Sequence, residues 1–145
     1  MKTTRVLVGS AVALICGSMT VVIARGTVAS QTTPTGWILP EDAEQKKNPH
    51  PVDERLISTG TEVYKDKCAR CHGPGGLGDG PDADPDVQPE MDLTSPKRAE
   101  RNPDGVVFYK VWNGRKRPKM PAFSSELTED QVWAVVAYTQ TLRKK

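Results

Sequence analysis

Apolar residues return at three- and four-residue intervals in three stretches of the chain, and each stretch carries helix start or stop signals. Leu56, Ile57, Gly60, Val63 and Tyr64 share one face of a segment running from Val52 or Ser58 to Lys67. Gly60 inside it costs about 1 kcal/mol of helix propensity relative to Ala. That cost makes sense where a second helix crosses close by. A second helix is predicted from Asn102 as N-cap, with Pro103 at the first helical position and Asp104 in the first turn. It presents Val106, Val107, Phe108, Val111 and Trp112, and Gly114 stops it. The third begins with a capping box, Thr128 and Gln131. Glu129 and Asp130 favour its positive end, Arg143 to Lys145 its negative end, and Val132, Trp133, Val136, Tyr138 and Leu142 supply its apolar faces.

The intervening segments lack such periodicity. Residues 73–96 are dominated by Gly, Pro and Asp and read as one long loop, which in a small domain has a functional reason or wraps something. Residues 31–51 read as a Pro-rich linker or surface arm, in which Trp37, Ile38 and Leu39 tuck against the domain in a packing role. No strand pattern and no internal repeat is visible. Ahead of the arm, Lys2 and Arg5 precede an apolar run from Val6 to Ala24 with no charge until Arg25, and small residues follow at Ala29 and Ser30. Residues 1–30 are therefore expected to be a secretory signal peptide, or else an uncleaved N-terminal membrane anchor through residues 6–24. The folded domain is expected over residues 52–145.

Charge changes the picture little in total and more in its distribution. The 20 basic and 18 acidic residues give +2; without Lys2, Arg5 and Arg25 the basic count is 17 and the balance −1. Such a balance says nothing about nucleic acid, and no nucleic-acid partner is expected. Asp79 to Asp92 holds six acids and no base, whereas Lys97 to Lys119 holds eight bases against Glu100 and Asp104. The apolar count is thin for a stable core of roughly a hundred residues, so something else must fill the middle.

Cys68-Ala-Arg-Cys71-His72 supplies that something. Three chemistries use cysteines at this spacing. Thiol–disulfide exchange needs a βαβ setting that the pattern lacks, and a closed zinc site needs a fourth ligand where only distant His50 remains. The third is covalent haem, for which C-x-x-C-H is the attachment signature. Two residues between the thiols let both reach one edge of a porphyrin, and the adjacent imidazole then points under its centre. One haem c, bound through Cys68 and Cys71 with His72 as axial ligand, would also complete the core.

Gly60 and Tyr64, "CARCHG", "GDGP" (Gly78 to Pro81), "DLTSP" (Asp92 to Pro96), "MPAF" (Met120 to Phe123) and "LTEDQVWAVVAYTQTL" together resemble class I, mono-haem cytochromes c over roughly residues 48–142. The resemblance implies an all-α, small cytochrome c fold, three main helices and long loops around one haem. It places Gly60 and Tyr64 against Trp133, Ala137 or Tyr138, and suggests that a carbonyl in the Gly78–Pro81 loop, that of Pro81, holds the second nitrogen of His72. For the sixth ligand, Met91 and Met120 are the methionines beyond residue 30. Met120 is favoured because Pro118 and Pro121 stiffen its backbone and because the family's methionine occupies that place. Met91, His50 and an open site remain the alternatives. Arg98, Arg101, Arg115 and Trp112 are candidates for the haem propionates, with nothing in the spacing to choose among them.

The expected function is one-electron transfer by an exported, periplasmic protein that is not an enzyme. It would meet redox donor and acceptor proteins at an exposed haem edge, where Arg115, Lys116, Arg117 and Lys119 would steer an acidic partner. It is expected to be a monomer unless it belongs to a complex. The alternatives are a haem subunit resident in a larger membrane oxidoreductase, with a membrane-bound oxidase or dehydrogenase as partner, and an open-site haem enzyme.

Overall fold

The computed structural model describes residues 30–32 and 36–143. The expected signal peptide or anchor falls on residues 1–30, of which all but Ser30 lie outside the described residues. Among the described residues no helix is long and apolar enough to cross a membrane.

Two helices form the frame. Helix α1 (Glu54–Lys67) starts where the Asp53 carboxylate accepts from the Leu56 N–H at 2.9 Å, and Lys65 and Lys67 complement its C-terminal dipole. Helix α6 (Glu129–Thr141) starts with the expected capping box: the Gln131 N–H donates to the Thr128 hydroxyl and the Thr128 N–H to the Gln131 side-chain oxygen, at 3.2 and 2.9 Å. The two cross at Gly60. A Cβ built there would stand 2.0 Å from the Ala134 carbonyl oxygen and 2.9 Å from Tyr138 Cβ, so only glycine lets the backbones meet. One turn on, the Tyr64 and Tyr138 rings pack with centroids 5.0 Å apart. The predicted crossing of Gly60 and Tyr64 with the last helix is therefore observed, with Ala134 and Tyr138 as the partners.

Helix α5 (Asp104–Asn113) packs on α6, with Phe108 stacked on Trp133 at 4.4 Å between centroids. Its start differs from the sequence expectation. Pro103 is the N-cap, and the Asn102 side chain turns away to donate to the Arg98 carbonyl and accept from the Lys110 ammonium. Three short helices lie between the long ones: α2 (Ala69–His72), α3 (Gln88–Met91, preceded by a 3₁₀ turn at Pro85–Val87) and α4 (Pro96–Ala99). The segment read as one loop thus has structure of its own. Prolines open the 3₁₀ turn, α3 and α4, and each is too short to show a period.

The arm also differs from expectation. Strands β1 (Ser30–Thr32) and β2 (Ile38–Pro40) pair antiparallel, Gln31 opposite Leu39, as a small ribbon on an otherwise all-α fold. From Ile38 to Asn48 the arm is bound to the domain at several points. The Asn113 side-chain amide donates to the Ile38 carbonyl at 2.6 Å, and the Ala43 and Lys46 carbonyls press onto Gly105, where a Cβ would be 2.1 Å from the first. The Lys46 ammonium lies 3.9 Å from the Phe108 ring centroid, and the Asn48 amide donates to the Trp133 carbonyl at 3.2 Å. His50 sits 3.0 Å from Asp130 on the outside of the domain.

Candidate haem site

The C-x-x-C-H segment is the joint between α1 and α2. Cys68 caps α1 through its N–H to the Tyr64 carbonyl, and its own carbonyl accepts from the N–H groups of Cys71 and His72. Both thiols are free of any disulfide. The following turn folds back beneath α2, where the Gly78 N–H donates to the His72 carbonyl at 2.8 Å and the Asp82 N–H to that of Arg70 at 2.8 Å. The Tyr64 hydroxyl donates to the Gly73 carbonyl at 2.7 Å and ties this turn to α1. Burial holds that phenol well above its ordinary range.

His72 Nδ1 lies 2.7 Å from the Met91 carbonyl oxygen. A carbonyl only accepts, so Nδ1 carries the proton and Nε2 keeps its lone pair, the tautomer a metal ligand requires. The expectation that Pro81 supplies this carbonyl is corrected. Gly78 explains the difference: at φ +75° it takes a backbone conformation that L side chains rarely adopt, and a Cβ there would be 2.8 Å from the Gln88 carbonyl oxygen. The close approach brings the end of α3 over the imidazole. Burial lowers the basicity of His72 below its ordinary value, the Met91 hydrogen bond works the other way, and Arg98 adds to the lowering. Burial likewise pushes the Cys68 thiol up to about 12, with smaller contributions from Cys71 and Asp66.

Cys68 and His72 open onto a cavity between α1, α5 and α6. Its walls are largely apolar, with Val107 and Val111 from α5 and Val135 from α6, and Met120 also lines it. Met120 is fixed by a two-bond bridge: the Arg115 N–H donates to the Met120 carbonyl at 2.9 Å and the Met120 N–H to that of Arg115 at 3.0 Å. Two soft or imidazole donors and one of two thiols thus line a single, largely apolar space. The donor chemistry and the cavity fit haem. Among the described residues no group of three or more His, Cys, Asp or Glu is placed to hold a metal ion, and the His50 ring is engaged by Asp130.

The other candidates separate. Met91 gives its carbonyl to His72, and its side chain is absent from the cavity lining. Of the four residues considered for propionates, Arg98 lines the cavity. Arg115 instead pairs with Glu90 at 2.7 Å with its side chain only 7% exposed, and Trp112 stacks on Phe108 at 5.7 Å. Sequence reasoning missed Lys110, Arg143 and Trp37, which also line the cavity. The first two read as surface charges on a helix and a tail; Trp37 was assigned packing alone.

A frame of two crossed helices and a C-x-x-C-H joint opening onto one apolar cavity define a c-type cytochrome, a haem electron-transfer protein. More narrowly, the family described as "Cytochrome C oxidase, cbb3-type, subunit III" matches residues 55–138, and the chain belongs to it. Among solved structures it is similar to a chain of the Kuenenia stuttgartiensis reducing HAO-like protein complex Kustc0457/Kustc0458, with a TM-score of 0.56 and 30% sequence identity. That match covers 71% of this chain and 55% of the other, so this chain spans about half the length of its structural relative.

Proposed function

We propose that this protein is an exported, periplasmic one-electron carrier with a single haem c attached to Cys68 and Cys71 and ligated by His72 Nε2 and the Met120 sulfur. The observation that carries this reading is that His72 and Met120 line the same apolar cavity as Cys68 while His72 Nδ1 is committed to the Met91 carbonyl. Bound haem supplies reversible one-electron exchange at iron. The chain's own residues then have three tasks. His72 presents a fixed lone pair, Met120 offers a soft thioether that favours the reduced metal, and the valine walls exclude water. With both axial positions taken, no substrate would reach the metal, and the protein would not be an enzyme.

Lys116, Arg117 and Lys119 stand exposed beside Met120 and suit an acidic redox partner. Arg115, turned inward to Glu90, is withdrawn from that rim. A second reading keeps the chemistry and changes the partner. The family's printed description is an oxidase subunit and the structural relative belongs to a complex, which favours a haem subunit resident in a larger oxidoreductase. The test is a reduced-minus-oxidised absorption spectrum and intact mass of protein produced with and without a haem-attachment system. Haem-laden mass and c-type bands with the system, and neither without it, are expected. Colourless protein of bare polypeptide mass would refute the proposal. N-terminal sequencing after cell fractionation separates a free carrier, starting near Ser30, from an anchored subunit that keeps Met1.

A further inference from the structure

Beside its apolar walls the cavity carries charge, with Glu90 and Asp92 in its lining and three cations among them. Arg98 from α4, Lys110 from α5 and Arg143 after α6 all line it. Asn102 joins them: it donates to the Arg98 carbonyl, accepts from the Lys110 ammonium, and accepts through its own carbonyl from the Arg143 guanidinium at 2.6 Å. Among the described residues none of these three cations forms an ion pair with a carboxylate. Of the acids that line the cavity, Glu90 pairs with Arg115 and Asp92 accepts from the Thr94 hydroxyl and N–H; both reach Arg98 through space without forming an ion pair with it. Crowding like charges beside apolar walls is unfavourable unless an anion answers them.

Trp37 completes this corner from outside the helical domain. It is 7% exposed and lines the cavity, with the Lys110 ammonium 5.0 Å and the Arg115 guanidinium 4.4 Å from its ring centroid. The indole therefore contacts two cations and gives Lys110 a partner beside the cavity. The strand that follows Trp37 is pinned to α5 by Asn113, so the arm is fixed where it delivers the ring.

We propose that Trp37 makes the N-terminal arm part of the cofactor site: it positions Lys110 so that Lys110, with Arg98 and Arg143, receives the two carboxylates of the haem. The inference rests on the proposed haem attachment and deepens it. It assigns the arm a role in setting the redox properties rather than in linking domains. The ammonium's depressed basicity, down to about 8 through burial first and then Arg98, Arg115 and Arg101, is the penalty that a carboxylate would relieve.

Removing the Lys110 charge leaves a haem carboxylate less compensated, which stabilises the oxidised iron and lets that carboxylate titrate in an accessible range. The charged groups that bear on it are Glu90, Asp92, Arg98, Arg101, Arg115 and Arg143. The test compares reduction potentials from pH 5 to 9 in the holoprotein and in Trp37→Ala, Trp37→Phe, Lys110→Gln and Lys110→Arg. Each is first checked for haem-laden mass and for the far-red band of methionine-ligated ferric haem. Trp37→Ala and Lys110→Gln should have lower potentials with a new pH-dependent fall, and Trp37→Phe and Lys110→Arg should stay near the parent. Wild-type potentials at every pH in Lys110→Gln would overturn the inference, as would a shift confined to Trp37→Ala. If Trp37→Ala loses the far-red band, the Lys110 pair and Trp37→Phe decide. A parent protein without haem would instead sink the proposed function itself.

Discussion

His72 and Met91 are 19 residues apart and joined by a 2.7 Å hydrogen bond from imidazole Nδ1 to backbone carbonyl. The bond uses the Met91 main chain, so the identity of that side chain should matter little, whereas the glycine that admits α3 should matter a good deal. Gly78→Ala is expected to push the end of α3 off the imidazole. Losing the bond lowers the basicity of the ligand, so the reduction potential should rise, and stability should fall by about 1–3 kcal/mol from overpacking. Met91→Leu should change neither by a comparable amount. Protein-film voltammetry and guanidinium unfolding of the two variants check this.

The α1–α6 crossing gives a second expectation. Gly60→Ala gains about 1 kcal/mol of helix propensity but drives a methyl into the Ala134 carbonyl, 2.0 Å from its ideal Cβ. Overpacking of that kind costs about 1–3 kcal/mol or more, so the net effect should be destabilising and should appear as a lower denaturant midpoint with unchanged slope.

Alkaline pH should act through Tyr64. An exposed phenol titrates near 10.0, and that of Tyr64 well above that when folded, chiefly because it is buried. The unfolded chain therefore loses this proton first, and the stability the group contributes is intact below pH 10 and lost as pH climbs beyond it. Tyr64→Phe should flatten this alkaline decline, at the expense of roughly 1 kcal/mol at neutral pH for the bond to the Gly73 carbonyl. Thermal unfolding from pH 7 to 11.5 reads both effects.

The exposed rim makes a kinetic prediction. Lys116→Glu with Lys119→Glu should slow electron transfer to an acidic partner and weaken its dependence on ionic strength, while Arg115→Gln should act mainly on stability because that side chain is turned inward. Stopped-flow rates against salt distinguish them. A wild-type rate that does not fall with added salt would remove the steering role.

Three elements and the attachment segment could be read from the sequence because each carries a local signature. The capping box at Thr128 and the glycine at position 60 are patterns of a few residues whose physics is complete in themselves. The Met91 carbonyl could not be read, since backbone atoms carry no residue-specific signal and the contact depends on how a Gly/Pro segment folds in three dimensions. Asn102 looked like an N-cap because the residue type is right, but its side chain is drawn into contacts with Arg98 and Lys110 that only the tertiary fold brings near. The ribbon in the arm was hidden because short strands show no period; Trp37 tucks against the domain as expected, and only its place in the cavity lining could not be read.

The most direct measurement is the far-red absorption of oxidised, purified protein whose mass equals the polypeptide plus one haem, taken for the parent and for two methionine variants. The band should be present in the parent and in Met91→Leu and absent in Met120→Ala. A band that survives Met120→Ala and vanishes with Met91→Leu would contradict the site described above.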